Sequence, residues 1–124
     1  MSTILIVEDN AKNMKLARDV LQAKGYTTLE AANGKDGVRL ALQRRPDLVL
    51  MDIQLPDING IEAFTRIRAN PETALIPVVA FTASVTASDV HRITEAGFDG
   101  FIGKPINLKE FVETVRRVVD GGRK

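Results

Sequence analysis

Several residue types are missing or scarce in this chain of 124 residues, and each shortage excludes a class of function. There is no cysteine, which excludes disulfide scaffolds, thiolate metal sites and thiol nucleophiles. No apolar run approaches the roughly 20 residues that a helix needs to cross a bilayer. The N-terminus also lacks the charged segment that begins a secretion signal. We therefore expect a cytoplasmic protein with no membrane insertion.

An excess of either charge is missing too. Lysine and arginine number 17 and aspartate and glutamate 16, for a formal net charge of +1. Proteins that bind nucleic acid through its phosphates carry a basic excess, so we expect no direct nucleic-acid partner. A chain of this length can bury one hydrophobic core but is too short for two ordinary domains. We expect residues 1–124 to form a single domain whose last helix ends about five residues before the C-terminus, leaving no room for an output domain.

What the sequence does contain is a regular alternation of short apolar segments with segments of helical periodicity. This alternation predicts a parallel sheet with helices on both faces. The predicted strands are 3–7, 27–31, 47–51, 77–81 and 100–102, and the predicted helices are 10–24, 35–44, 60–70, 87–96 and 108–119.

The apolarity of each predicted strand indicates how deeply it is buried in the sheet. The first, third and fourth are almost wholly apolar, as strands covered on both faces are, whereas the second is more polar and the fifth is short. We predict an α/β fold of the flavodoxin-like, three-layer (βα)5 type with strand order 2-1-3-4-5. The expected helix ends fit this fold, with Asn59, Thr86 and Asn107 as N-caps and Gly25 and Gly97 as left-handed caps.

Polar side chains follow the strands at one edge of this sheet. Glu8 and Asp9 follow the first predicted strand, and Asp52 follows the third. Thr82 stands at the end of the fourth strand, and Lys104 follows the fifth. The carboxyl ends of parallel strands meet at the edge where such sheets bind ligands. Three converging carboxylates repel one another unless a cation is present, and Mg²⁺ prefers oxygen ligands and phosphate. One acid alone could be a solubilising or capping residue, but the set predicts a metal and phosphoryl site.

The segments that carry these residues resemble the signature of bacterial two-component receiver domains, the CheY-like response regulators. They are 4–10 (ILIVEDN), 51–56 (MDIQLP), 81–83 (FTA) and 104–105 (KP). The resemblance extends over essentially the whole chain and is to the stand-alone type. Within it, the sequence is similar to the DivK-like regulators of cell polarity and division, although receivers fused to hybrid kinases share much of the pattern.

The resemblance implies a phosphorylation-dependent switch of a two-component system or phosphorelay. Asp52 would accept a phosphoryl group from a histidine kinase or a histidine phosphotransfer protein, with Lys104 assisting. Asp9 and Asp52 would ligate Mg²⁺ (or Mn²⁺), with Glu8 nearby or acting through water. The backbone carbonyl of Gln54 would supply a further ligand.

The resemblance also implies how the signal is read. Thr82 and Phe101 would be the switch residues, although an ordinary core aromatic remains an alternative for Phe101. Asn13 and Met14 are candidates for docking the partner, with peripheral packing as the alternative for Met14. The bond before Pro105 is expected to be cis. The readout surface would be the fourth helix, fifth strand and fifth helix.

Rival functions fit the sequence less well. Phosphatases of the haloacid-dehalogenase type place a second aspartate two residues after the nucleophile, where this chain has Gln54. We therefore expect no enzyme turnover beyond slow self-dephosphorylation. A flavodoxin-like cofactor binder would want a glycine-rich phosphate loop where the acidic segment 8–10 stands. A receiver fragment of a hybrid kinase remains open, as do relay to another histidine, binding of a downstream protein target, and a monomer or weak dimer.

Overall fold

A computed structural model of the protein describes residues 2–83 and 86–121. Strands and helices alternate throughout this part of the chain, as predicted, and no helix in it is long and apolar enough to span a membrane. The strands are β1 (Thr3–Val7), β2 (Thr27–Ala31), β3 (Leu48–Asp52), β4 (Val78–Thr82) and β5 (Gly100–Gly103). The helices are α1 (Ala11–Ala23), α2 (Gly34–Arg44), α3 (Gly60–Ala69), α4 (Ala87–Ala96) and α5 (Leu108–Gly121).

All strands are parallel and lie in the order β2-β1-β3-β4-β5, which confirms the predicted flavodoxin-like topology. The central strands β3 and β4 are buried along their whole length, and β1 is buried from its second residue onward. The edge strands β2 and β5 are only partly buried, as their more polar or shorter sequences predicted.

The core has two layers, one on each face of the sheet. Because side chains alternate along a strand, Ile4 and Ile6 of β1 pack toward α1 and α5, whereas Leu5 and Val7 pack toward α2 and α3. Helix α2 approaches β1 closely, since a Cβ at Gly37 would lie 2.7 Å from Cγ2 of Val7. The sheet lies between these two layers, and the candidate site lies at its carboxyl edge.

Three strands have limits that differ from the prediction by one residue. Strands β3 and β4 both begin and end one residue later than expected and β5 ends one residue later, while the helix limits differ by two residues at most. The predicted limits followed apolarity, but backbone pairing continues through the polar residues at the strand ends. Asp52 pairs in register with Phe81, and Thr82 with Gly103. The candidate site residues Asp52 and Thr82 are therefore part of the sheet and do not lie in loops.

The predicted capping residues are confirmed. The side chains of Asn59, Thr86 and Asn107 accept hydrogen bonds from backbone N–H groups three residues later, at 2.8, 3.2 and 3.1 Å. Gly25 and Gly97 have φ of 93° and 101°, the left-handed conformation that glycine adopts without a steric penalty. These caps fix where α3, α4 and α5 begin, and so the loops that surround the carboxyl edge.

Candidate functional site

Three carboxylates meet at the carboxyl edge of the sheet. Glu8, Asp9 and Asp52 each place an oxygen within 4.8 Å of the others. They meet because β1 and β3 are neighbours with Val7 paired to Met51, so the residues that follow β1 and end β3 are adjacent. Glu8 and Asp52 are buried, whereas Asp9 is exposed. The predicted convergence is confirmed, and its donor set is the hard oxygen type that Mg²⁺ prefers.

Lys104 provides the positive charge in this cluster. Its Nζ lies 2.6 Å from Oε1 of Glu8 and 3.1 Å from Oδ2 of Asp52, and its side chain is only 12% exposed. Its backbone N–H donates to the carbonyl of Thr82 at 2.8 Å, and the Lys104–Pro105 bond is cis, as expected. One ammonium group thus holds two buried carboxylates that would otherwise repel each other.

The Glu8 carboxyl has a pKa that its surroundings shift. Burial raises its pKa above the ordinary value, and its contact with Asp52 raises it further, while the Lys104 ammonium and the Asn10 N–H act in the opposite direction. Oε2 accepts the Asn10 N–H at 3.1 Å, and the buried Oε1 is paired with the Lys104 ammonium at 2.6 Å. The Glu8 carboxylate is therefore held from both sides within the cluster.

Asp52 is fixed through both of its oxygens and through its backbone. The Gln54 N–H donates to Oδ1 at 3.0 Å, and Lys104 donates to Oδ2. The start of α3 lies directly against the end of β3, because a Cβ at Gly60 would stand 2.8 Å from Cα of Ile53 and 2.9 Å from the carbonyl carbon of Asp52. Only glycine allows this approach. Sequence reasoning missed this role of Gly60, whose only signal was its position after a predicted N-cap.

The cluster opens into a shallow cleft of about 400 Å³. Its walls are mostly polar and come from the carboxyl ends of β1 and β3, the segments that follow β1, β3, β4 and β5, and the first turn of α1. The residues that line it are Glu8, Asp9, Asn10, Asn13, Asp52, Gln54, Leu55, Pro56, Ala83 and Lys104. A cleft of this size and polarity is suited to a phosphate-sized anion and a hydrated divalent ion.

The two predicted switch residues lie beside the cleft and not in it. Thr82 is 4% exposed and lines a neighbouring cavity of about 420 Å³ between α3 and α4. Phe101 is 41% exposed and lies along a groove between β5 and α5. The alternative that Phe101 is an ordinary core aromatic is therefore wrong. Its side chain is partly open to solvent in this groove.

The two predicted docking residues differ in their surroundings. Asn13 is half-buried and lines the cleft. Met14 is 7% exposed and packs in the core with Ala17 and Leu21, so the expectation that it contacts a partner is corrected in favour of packing. The reason is helical geometry, because Met14, Ala17 and Leu21 recur at the spacing that keeps them on the core side of α1.

Known proteins place the chain in context. Residues 4–116 match the model of the response regulator receiver domain. A relative, the polar-differentiation response regulator DivK of Brucella anthropi, is 44% identical over 114 residues, which cover 92% of this chain and 93% of the relative. The same regulator of Brucella ovis is 42% identical over the same shares.

Solved structures agree with the sequence comparison. A putative response regulator from Chloroflexus aurantiacus superposes with a TM-score of 0.91 at 29% identity, covering 96% of this chain and 98% of that one. The receiver domain of the sensor histidine kinase PA1611 from Pseudomonas aeruginosa, with a magnesium ion coordinated in its active site cleft, has a TM-score of 0.89 at 32% identity and the same coverage. In fold, in sequence and in the family model that it matches, the chain belongs to the response regulator receiver domain family of two-component signalling, with DivK-like relatives.

Proposed function

We propose that this receiver accepts a phosphoryl group on Asp52 from a phosphohistidine of a histidine kinase or histidine phosphotransfer protein, with Mg²⁺ (or Mn²⁺) bound beside it. The observation that carries the proposal is the convergence of three carboxylates and one ammonium group on one cleft. Glu8 and Asp52 both contact Lys104, and Asp52 is assigned as the acceptor because segment 51–56 resembles the receiver signature around the accepting aspartate.

The metal would be held by Asp9, Asp52 and the backbone carbonyl of Gln54. Asp9 is exposed and free to reorient, while Asp52 is held by its two hydrogen bonds. Glu8 would act nearby or through a water molecule, because it belongs to the same carboxylate cluster but is already paired with Lys104. When bound, the ion would neutralise charge on the phosphoryl oxygens during transfer.

Transfer needs little covalent assistance from the protein. A bond forms between an Asp52 oxygen and phosphorus while the phosphorus–nitrogen bond of the donor breaks, and the imidazole nitrogen keeps the electron pair. Lys104 already contacts the accepting carboxylate at 3.1 Å, so it is placed to bind a phosphoryl oxygen as charge develops there. The side chain of Gln54 cannot act as a general acid for hydrolysis, which is consistent with a slow loss of the phosphoryl group and not with phosphatase turnover.

The change that phosphorylation causes would be transmitted from the cleft by Thr82 and Phe101. Thr82 ends β4 and is paired in register with Gly103, directly beside the strand that carries Phe101. In our proposal the Thr82 hydroxyl bonds the new phosphoryl group, and Phe101 turns from its exposed position toward the space that opens beside Thr82. Helix α4 is suited to follow this motion, since Ile93 is the buried residue that anchors it. The readout surface would then be α4, β5 and α5.

The donor would dock over the cleft on the side of α1. Asn13 lies at the rim of the cleft and is half-buried, so its amide can contact an approaching protein. Leu16, on the next turn, is 41% exposed. A helical bundle that presents a phosphohistidine can cover these positions while its imidazole enters the cleft.

The proposal is tested with a small phosphodonor such as acetyl phosphate and Mg²⁺. We expect the wild type to gain one phosphoryl group and Asp52→Asn to gain none, because the amide cannot act as the nucleophile. Asp47→Asn is the matched control, since Asp47 is an exposed acid that immediately precedes β3 at the other end of the strand. Intact-protein mass spectrometry gives the occupancy. Equal labelling of Asp52→Asn and the wild type would reject Asp52 as the acceptor.

A further inference from the structure

The loop between β3 and α3, residues 53–59, contacts the accepting carboxylate directly. Its Gln54 N–H donates to Oδ1 of Asp52 at 3.0 Å. In the proposed function the carbonyl of the same residue is a ligand of the metal. A shift of this loop would therefore disturb the orientation of Asp52 and the proposed metal site at the same time.

The carboxylate of Asp57 ties this loop to the start of α2. Oδ1 accepts the Gly34 N–H at 2.8 Å, and Oδ2 accepts the Lys35 N–H at 2.9 Å. These N–H groups belong to the first turn of α2, where the helix itself offers them no acceptor. The bonds cross between segments 22 and 23 residues apart in sequence, so they hold tertiary structure and not only a turn.

The backbone of α2 also lies directly against the loop. A Cβ built on Gly34 would be 2.5 Å from Cγ1 of Ile58 and 3.1 Å from its carbonyl oxygen. The loop and the helix are thus in contact at two consecutive loop residues, Asp57 by hydrogen bonds and Ile58 by packing. This contact is independent of the helix cap, and it shows that the position of the loop depends on α2.

We propose that Asp57 is a positioning residue for the phosphoryl-transfer site, which holds residues 53–59 so that Gln54 presents its N–H to Asp52 and its carbonyl to the metal. The inference rests on the proposed function of Asp52 and extends it to a residue outside the cleft. Asp57 makes no contact with the reacting atoms in this account. It acts through the loop.

The charge state of Asp57 suits this role. Partial desolvation raises the pKa of its carboxyl, but the backbone N–H groups of Lys35, Gly34, Ile58 and Asp57 itself outweigh that effect and lower the pKa to about 2. A group with a lowered pKa contributes its stabilisation fully above the ordinary value of 3.8 and loses it as the pH falls through about 2. The tether is therefore charged and intact throughout the neutral range.

A purely structural role, capping of α2, predicts something different. Helix α2 has a cap of its own, because Oδ1 of Asn33 accepts the Asp36 N–H at 2.8 Å. Asn33→Ala removes a cap from the same helix end and leaves both Asp57 bonds in place. It is therefore a matched control, since each variant should lower the Tm by a similar small amount through lost capping.

The experiment compares Asp57→Ala, Asp57→Asn and Asn33→Ala in the full chain. Mg²⁺ affinity is measured by NMR titration, the initial rate of labelling by acetyl phosphate by mass spectrometry, and Tm by circular dichroism. We expect similar small losses of Tm for Asp57→Ala and Asn33→Ala, but an affinity for Mg²⁺ about tenfold weaker in Asp57→Ala alone. Asp57→Asn should be intermediate, since its amide oxygen can accept one of the two N–H groups.

The outcomes separate the inference from the proposed function. Wild-type Mg²⁺ affinity and labelling rate in both Asp57 variants would overturn the positioning role, as would an equal loss in Asn33→Ala. Because Asp57→Asn keeps one hydrogen bond, it remains folded and measurable even if Asp57→Ala does not. A failure of the proposed function itself would appear elsewhere, as labelling of Asp52→Asn, and would not depend on any variant at position 57.

Discussion

Asp9→Ala should weaken Mg²⁺ binding by at least about tenfold and slow labelling by a phosphodonor to a similar degree, while leaving the fold intact. Asp9 is the exposed member of the carboxylate cluster, so it can be removed without opening a cavity. It would contribute one of only two carboxylate ligands, and losing a direct ligand costs at least as much as the roughly 10–100-fold measured for residues that support ligands.

NMR titration with Mg²⁺ measures this prediction, and thermal unfolding checks the fold. Asp19→Asn is a suitable control, because it removes one negative charge from an exposed position on α1, where Asp19 pairs with Lys15. The control should bind Mg²⁺ as the wild type does. Undiminished binding in Asp9→Ala would remove Asp9 from the ligand set, whatever the behaviour of Asp52.

Lys104→Ala should have the opposite effect on the metal and a larger effect on the chemistry. Without the ammonium group, the cluster of Glu8, Asp9 and Asp52 carries more uncompensated negative charge, so Mg²⁺ should bind more tightly. Labelling should nevertheless slow by about a hundredfold, because the group that would stabilise a transferring phosphoryl oxygen is lost. A variant that binds Mg²⁺ more tightly but is labelled more slowly has lost a residue that assists phosphoryl transfer, whereas loss of a metal ligand weakens both.

The stability of Lys104→Ala should also depend on pH. Glu8 would lose its ion pair, and its pKa, already raised by burial, should rise further. A carboxyl with a raised pKa favours the folded state when protonated, so the deficit relative to the wild type should be small near pH 4 and should grow as the pH rises. At neutral pH we expect about 1–3 kcal/mol, the cost of leaving a buried polar group without its partner.

Urea unfolding at several pH values measures this deficit. Lys109→Ala is the control, because Lys109 is an exposed lysine near the start of α5. A deficit that does not change with pH would mean that Lys104 acts through packing and not through its charge. Labelling of Lys104→Ala at the wild-type rate would exclude it from phosphoryl transfer.

The fold could be predicted from the sequence because the apolar pattern and the capping residues indicate the same succession of strands and helices. Continuous apolar segments marked β3 and β4 as central, and capping residues such as Asn59 and Gly97 fixed the helix limits. The one-residue error at the ends of β3 and β4 has a clear cause. Apolarity reports burial, whereas a strand is defined by backbone pairing, which continues through the polar residues Asp52 and Thr82.

The acidic cluster could be predicted because it depends on topology alone. Once the strand order was known, the residues that end β3 and follow β1 and β5 had to lie at one edge of the sheet. Side-chain direction was less predictable. Asn13 and Met14 are adjacent in sequence, but one lies at the cleft and the other is buried in the core, and only the packing of α1 against the sheet decides which.

Contacts between distant segments could not be predicted. The bonds of Asp57 to Gly34 and Lys35 depend on how closely α2 approaches the loop after β3, and no local pattern encodes that distance. The same holds for Gly60, whose missing side chain matters only because α3 begins against the end of β3. In both cases the sequence shows a residue typical of turns, and the structure gives the reason for it.

The proposed phosphoryl-transfer site requires a single divalent ion that acids from different strands share. Crystals of the wild type soaked in Mn²⁺ and measured at the manganese absorption edge would locate such an ion by its anomalous scattering. We expect one strong peak in the cleft, at coordination distance from carboxylate oxygens of both Asp9 and Asp52 and from the carbonyl of Gln54. A cleft with no peak, or a peak that contacts only one of the two acids, would contradict the account.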